Sequence, residues 1–332
     1  MKDVTIIGAG PVGLFGAFYA GMRGMSVRVV DSQPQTGGQL TALYPDKPIY
    51  DMPGFPEISA RDLANAMALQ AGRFHPEYVL GCQAESLVQL EQGWRLGTKN
   101  GDVYLSRTVI ICGGVGAFQP TRIGLENESH FLGKGLGYGV QDRAALVGKR
   151  VVVVGGGDSA VDWALALEGV ARSVTLIHRR DQFRAHEESV ATLMRSSVAL
   201  RLWEEVVELK GSDKLVAVVT QNRQTQERTE LPCDFLSINI GYKTDLGPIR
   251  SWGLELQKNK IVVNSLMETN RPGVYAAGDI CTHHAKLDLI ATGVGEVCIA
   301  VNVAKTFINP DAKRFPGHSS DMTLPPIVKE EA

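Results

Sequence analysis

Val4-Thr-Ile-Ile-Gly8-Ala-Gly10-Pro-Val-Gly13 joins a short β-branched run to an apolar helix-like run, Val12 to Met22, through three regularly spaced glycines. A G-x-G-x-x-G pattern alone is a weak signal, and a glycine-rich structural turn is the alternative. Between a strand and a helix it becomes a dinucleotide fingerprint. There the first glycine permits a tight turn, the second lets a pyrophosphate approach the backbone, and the third lets helix and strand pack. The helix N-terminus adds free N–H groups facing the anion. Gly8, Gly10, Pro11, Val12 and Gly13 are therefore candidate cofactor contacts. Asp31, at the end of a second strand-like run from Ser26 to Val30, can accept hydrogen bonds from a ribose.

The same order recurs further along. The strand-like Arg150–Val154 leads into Gly155-Gly-Gly157-Asp-Ser-Ala160, a G-x-G-x-x-A turn that opens a second helix. A second dinucleotide is implied, with Gly155, Gly157, Asp158, Ser159 and Ala160 as its contacts. Where the first copy carries Asp31, this copy carries His178-Arg179-Arg180, followed by Arg184. A carboxylate there would repel a 2′-phosphate, whereas guanidinium groups hold one bidentately. The assignment is NADPH; the bland reading is a solvated basic patch.

Other segments fill out both copies. Ser59 is placed to cap a helix over 60–73, and three apolar segments at 84–90, 94–98 and 103–112 have the pattern of an antiparallel meander. In the second copy, β-type segments fall at 206–209, 215–220 and 235–240. After them come strand material at 261–269 and 273–279 and a long helix over 293–307, with no repeat partner. The expected fold class is α/β: two Rossmann-like, three-layer ββα dinucleotide-binding domains, each with an antiparallel β-meander. The first domain is discontinuous, 1–114 with 242–332 and a C-terminal extension from about 309; the second is 115–241. Hinge points are expected near 113–116 and 241–244.

Tyr275-Ala-Ala-Gly-Asp279 ends a strand on a carboxylate, which is common in isolation. Beside a complete fingerprint it gains meaning, because a flavin's ribityl hydroxyls need an acceptor near the phosphate-binding helix. Thr292 opens the helix that follows, whose dipole suits negative charge at a flavin pyrimidine edge.

The whole chain has 332 residues, a formal net charge of −2, 44% hydrophobic and 21% charged residues. That length allows two domains, and the charge balance speaks against a nucleic-acid or membrane-surface binder. The apolar stretch from Ala9 to Met22 is broken by four glycines and falls short of the roughly 20 residues of a membrane span. No signal peptide is expected. Cys82, Cys112, Cys233, Cys281 and Cys298 show neither C-x-x-C nor metal-ligand spacing, so free thiols in a reducing cytoplasm are expected, and no metal.

With these motifs in hand, the chain resembles the low-molecular-weight thioredoxin reductases over nearly its whole length. The resemblance rests on the second fingerprint, on His178-Arg-Arg-Asp-Gln-Phe-Arg-Ala185 and on Ala276-Ala-Gly-Asp-Ile280. One departure decides the branch. Those enzymes carry C-x-x-C just upstream of the second fingerprint, where this chain has Gly135-Leu-Gly-Tyr-Gly-Val-Gln-Asp142. A thiol relay needs two nearby cysteines, so disulfide reduction is not expected. Through Gly37-Gly-Gln-Leu-Thr-Ala-Leu-Tyr44-Pro, Tyr50-Asp-Met-Pro-Gly-Phe55 and Asp158-Ser-Ala-Val-Asp-Trp163, the chain more closely resembles the thioredoxin-reductase-like ferredoxin–NADP reductases.

That resemblance implies an FAD-dependent ferredoxin–NADP(+) reductase, cytoplasmic and homodimeric, exchanging hydride between NADP(H) and FAD N5 and single electrons with ferredoxin or flavodoxin. It implies FAD contacts at Asp31, Gln39, Tyr44, Ala84, Phe118 and Asp279, with Tyr44 stacked on one flavin face. It further implies that His318 stacks on the other face across a dimer interface and that Ser320 reaches toward N5. Hydride transfer itself requires no side-chain acid or nucleophile. The alternatives are an NADPH-dependent flavoprotein reductase of another acceptor (a quinone, free flavin or a small disulfide protein) and a redox-sensing FAD/NADPH-binding module without turnover.

Overall fold

The computed structural model describes residues 1–140 and 142–327; the side chains of 117–119 and 242–244 also lie outside the described residues. The chain forms two compact units, one from Met1–Phe118 with Thr244–Ala332 and the other from Gln119–Lys243. The units divide at 118/119 and 243/244, beside the expected boundaries at 114/115 and 241/242, and both divisions fall inside strands, Ala117–Pro120 and Tyr242–Asp245.

The first unit begins with β1 (Lys2–Ile7), α1 (Pro11–Met22), β2 (Val27–Val30), α2 (Ala60–Gly72) and β3 (Glu77–Val79), then the meander β4 (Ala84–Leu90), β5 (Gly93–Thr98) and β6 (Val103–Ile111). Ser59 caps α2 as its sequence position predicts, its Oγ accepting from the Asp62 N–H at 3.0 Å. All six strands belong to one sheet, ordered β3-β2-β1-β6-β5-β4. β6 lies parallel to β1 along one edge, with Ile7 opposite Ile111. Its other edge is shared: the first half is antiparallel to β5, and Val109 to Ile111 take up the returning strand Val274–Ala276. One nine-residue strand thus joins the nucleotide-binding sheet to the meander.

The second unit repeats the plan with separate sheets. It contains β7 (Leu136–Gly137), β8 (Arg150–Val154), α3 (Asp158–Leu167), β9 (Ser173–His178), α4 (Glu187–Arg195), β10 (Ala199–Leu202), the meander β11 (Glu204–Gly211), β12 (Leu215–Asn222), β13 (Arg228–Pro232), and β14 (Phe235–Ile238). The parallel sheet runs β7-β14-β8-β9-β10, and β11-β12-β13 form an antiparallel sheet. Strand periodicity creates the layers. Val151 and Val153 pack with Ala160, Ala164 and Leu167 of α3, whereas Val152 and Val154 pack with Val206, Leu209 and Val218 of the meander. Each buried valine contributes about 1.5–3 kcal/mol, so β8 holds both layers. In this unit the sequence reading missed β7, α4, β10 and β13. β13 reads Arg-Thr-Glu-Leu-Pro, with only Leu231 packed inward, so its apolar alternation is too sparse to show.

After the second unit, β15 (Val274–Ala276) and α5 (Ile290–Ile308) return to the first. α5, not Ala9–Met22, is the helix long and apolar enough to cross a membrane by length and composition. Its buried face, including Gly293, Val297, Ala300, Val301 and Ala304, lies in the core, and it carries a buried Glu296. A Cβ on Gly16 would stand 2.7 Å from Val297 Cγ2, so α1 and α5 pack closely. Beyond α5 the chain is tethered by backbone carbonyls: Arg23 Nη2 donates to Lys313 O at 2.5 Å and Arg73 Nη1 to Pro325 O at 3.2 Å.

In the second unit Arg150 clamps the strand before its neighbour begins. Its Nη2 and Nε donate to Asp234 at 2.6 and 2.9 Å, and its N–H adds a bond of 2.8 Å. The Arg150 hydrogen bonds hold the Asp234 carboxyl well below the usual carboxylate range. A depressed folded value stabilises above the unfolded one, near pH 4, and that stability fades as pH falls toward the folded value. D234N is therefore expected to be less stable than wild type at pH 7, with the gap narrowing below about pH 4. Urea midpoints at pH 7 and pH 3 check this; equal gaps would sink the electrostatic account.

Candidate active site: two dinucleotide cradles

The first cradle is shaped by groups that leave no room for a Cβ. Gly8 has φ +113°, and a Cβ there would lie 2.7 Å from the Cys112 carbonyl carbon. One on Gly13 would lie 2.9 Å from the Gly8 carbonyl carbon. Gly10 is different: its Cβ would meet nothing nearer than Gly38 Cα at 3.9 Å. The first and third glycines thus serve the fold, and the second leaves space. Gly10 caps α1 without a side-chain bond and Pro11 occupies its first turn, so the helix N-terminus presents backbone donors to that space. A pyrophosphate fits there.

Asp31 faces this turn from the end of β2. Its Oδ2 accepts from the Ala9 N–H at 2.5 Å and its Oδ1 from the Gln33 N–H at 2.7 Å. Burial raises its pKa, partly offset by those two donors. Each oxygen keeps a second lone pair. Two residues before Ala84, which opens β4, the Cys82 N–H donates to the Asp31 carbonyl at 2.9 Å.

Further predicted residues gather at the mouth of the same unit. A Cβ on Gly114 would lie 3.1 Å from Gln39 Nε2, which places Gln39 against the turn after β6. Tyr44 is half-buried; burial, then the charges of Asp279 and Asp51, push its phenol pKa up, so the ring stays neutral. Asp279 lies on the turn after β15, where a Cβ on Gly278 would be 3.2 Å from Val12 Cγ2 and one on Gly293 2.5 Å from the same atom. The N-terminal ends of α1 and α5 therefore close on the Asp279 turn, with Thr292 in the first turn of α5. Phe118 lies on a described strand, but its side chain is outside the described residues. His318 and Ser320 are exposed; the His318 ring meets Phe315 edge-on at 5.2 Å. No described contact within the chain joins either to Tyr44 or Asp279.

Sequence reasoning missed a buried network beneath this turn. Glu296 accepts from the Gly278 N–H at 2.8 Å and from Lys286 Nζ at 2.7 Å on both oxygens, and His283 Nε2 lies 2.9 Å away. The signal was a lone carboxylate inside an apolar helical run.

The second cradle repeats the first with one change. Gly155, φ +148°, packs against the end of β14, its Cβ position lying 3.0 Å from the Asn239 carbonyl carbon. Gly157 precedes α3 with nothing within 4 Å of its Cβ position. The His178 ring fills the space over Gly156, stacked on Phe183 at 5.1 Å. Burial, together with Arg179, Arg180 and Arg184, pushes the His178 pKa down. His178 is thus neutral at pH 7 and contributes packing, not charge, to the basic cluster. The Arg184 N–H donates to Gly156 O at 2.7 Å, and the Asp158 carboxylate accepts from the His186 N–H at 2.9 Å, so the segment after β9 folds back over the glycine turn. Arg179, Arg180 and Arg184 are exposed, and among the described residues none is paired with a carboxylate.

The cysteines form no disulfide. All five cysteines are free, and burial pushes the Cys112 thiol up strongly, Cys233 and Cys281 to about 12 and Cys298 to about 11. Such thiols are poor nucleophiles at neutral pH.

Two glycine-turn cradles, one edged by a carboxylate and one by arginines, define an oxidoreductase of the two-dinucleotide class. The profile of the pyridine nucleotide-disulphide oxidoreductase family matches residues 2–300, and the chain belongs to that family. Ferredoxin–NADP reductase 2 of Oceanobacillus iheyensis is 52% identical over 321 residues, 96% of this chain and 98% of that protein. The ferredoxin–NADP reductase of Thermus thermophilus is 50% identical over 327 residues, 97% and 98% of the two chains. Among solved structures, thioredoxin reductase of Lactococcus lactis in its FR conformation superposes with a TM-score of 0.74 at 27% identity, covering 93% of this chain and 99% of that one. T. acidophilum thioredoxin reductase gives 0.74 at 29%, covering 94% and 99%.

The open space at Gly157 separates folding from binding. G157A is expected to melt like wild type, because its Cβ meets no protein atom, yet to bind NADPH at least about tenfold more weakly, because the methyl occupies the anion's approach. Calorimetric melting and NADPH titration check both halves; unchanged affinity would place the pyrophosphate elsewhere.

Proposed function

We propose that this chain is an FAD-dependent ferredoxin–NADP(+) reductase. The observation that carries the reading is a pair of complete dinucleotide cradles in a thioredoxin-reductase-like fold that lacks the C-x-x-C thiol pair. Electrons then have no thiol relay to follow and leave for a separate acceptor. Near-full-length relatives named ferredoxin–NADP reductase support ferredoxin as that acceptor, with flavodoxin as its functional equivalent. FAD, when bound, supplies a centre that takes an electron pair from NADPH and passes electrons on singly.

The chain's own residues bind and orient. The turn Gly8 to Gly13 holds the FAD pyrophosphate, Asp31 accepts from the adenosine ribose, and Asp279 accepts from the ribityl chain. Gln39, Ala84, Phe118 and Thr292 line the same site. Tyr44 presents its neutral ring to one flavin face. In the second cradle, Gly155, Gly157, Asp158, Ser159 and Ala160 form the pyrophosphate turn, His178 supports it, and Arg179, Arg180 and Arg184 take the 2′-phosphate. The exposure of His318 and Ser320 supports a homodimer in which they cover the partner's flavin. The reading places the protein in the cytoplasm, consistent with free cysteines, and away from nucleic acid and membrane, with α5 serving as a core helix.

R179A/R184A is expected to weaken NADPH binding roughly tenfold to hundredfold, the loss of charge-assisted contacts, while NADH binding stays unchanged. Anaerobic stopped-flow mixing of the yellow protein with NADPH, then with oxidised ferredoxin, tests the whole reading. Bleaching followed by ferredoxin-dependent reoxidation is expected. Bleaching that ferredoxin does not reverse would discard the partner and keep the flavoenzyme.

A further inference from the structure

Asp279 lies beside two lysines and is paired with neither. Burial, then the charge of Asp288, push the pKa of its half-buried carboxyl up, and Lys286 and Lys260 only partly offset them; among the described residues no protein group hydrogen-bonds it. Both lysines are occupied. Lys286 Nζ sits 2.7 Å from each oxygen of Glu296, with both side chains almost wholly buried. Lys260 Nζ sits 2.6 and 2.7 Å from the oxygens of Asp288. An unpaired carboxylate near a free ammonium would ordinarily close into an ion pair.

We propose that Glu296 and Asp288 are positioning residues that sequester Lys286 and Lys260, leaving the Asp279 carboxylate free to accept hydrogen bonds from the FAD ribityl chain. This rests on the FAD reading above and explains a network that reading does not use. The backbone is arranged to the same end. Ala285 adopts φ +63°, a conformation disfavoured for a residue with a Cβ, and the turn it makes brings Lys286 inward to α5. Glu296 also fixes the Asp279 turn directly through the Gly278 N–H. Burial would raise the Glu296 pKa, but Lys286, His283 and that N–H outweigh it and hold the carboxyl below its ordinary value, so its negative charge persists opposite Lys286.

Anchoring and sequestration make different predictions. In E296Q the amide oxygen still accepts from Gly278, but Lys286 loses its counter-charge and turns to Asp279. In K286M/E296Q the anchor remains and the competitor is gone. Titration of full-length apoprotein with FAD, followed by flavin fluorescence, is expected to show E296Q binding about tenfold more weakly than wild type, and K286M/E296Q returning to within about threefold. The less buried pair repeats the test outside the Glu296 network: D288N weakens FAD binding about threefold and K260M/D288N restores it. Single and paired variants binding equally weakly, or singles binding as wild type does, would overturn the inference. A wild-type apoprotein that takes up no FAD would instead overturn the function on which it rests.

Discussion

A methyl group on Gly8 would press on the carbonyl of Cys112, and one on Gly155 would press on the carbonyl of Asn239. In both units the glycine turn sits against the end of the strand that pairs in parallel with the first strand of the unit's fingerprint, β6 beside β1 and β14 beside β8. The backbone on either side is tied in the same way: the Gly8 and Gly155 N–H groups reach the ends of β2 and β9, and the Cys112 and Asn239 N–H groups reach the ends of β1 and β8. This close approach positions everything else. It sets where each helix starts, where its unbonded N–H groups point, and which residue of the second strand faces the turn. The two units differ in the third position. Gly13 has no room for a methyl, whereas the equivalent Ala160 keeps one.

Charge then distinguishes the two cradles. In the first, the residue facing the turn is Asp31, whose carboxylate is held by two backbone donors and suits a hydroxyl. In the second, the facing residue is His178, made neutral by burial and by the arginines around it, while the guanidinium groups remain exposed and unpaired. The first turn thus faces a hydrogen-bond acceptor and the second a group of free cations. Burial raises the Cys112, Cys233 and Cys281 thiol pKa values and makes these three poor nucleophiles at neutral pH.

The elements around the turns were legible because they rest on local rules. Glycines at fixed spacing mark a turn, Ser59 marks a helix start, and β-branched runs mark buried parallel strands. β13 was not legible, since an edge strand with one inward apolar residue obeys no local pattern. Gln39 and Tyr44 came from resemblance, and their placement depends on long-range packing of the short helix Gln39–Ala42 against Gly114 and of Tyr44 near Asp279.

By itself, the sequence determined two strand–turn–helix units, their order, and the opposite charges that follow them, because each is encoded within a few dozen consecutive residues. Only the tertiary structure decided that His178 packs and does not charge its site, that β6 carries both the parallel strands and the meander in one sheet, and that Glu296 reaches Lys286 beneath Asp279. Those depend on which side chains meet across the fold. A buried carboxylate draws its meaning from the cations and donors that desolvation forces it to find.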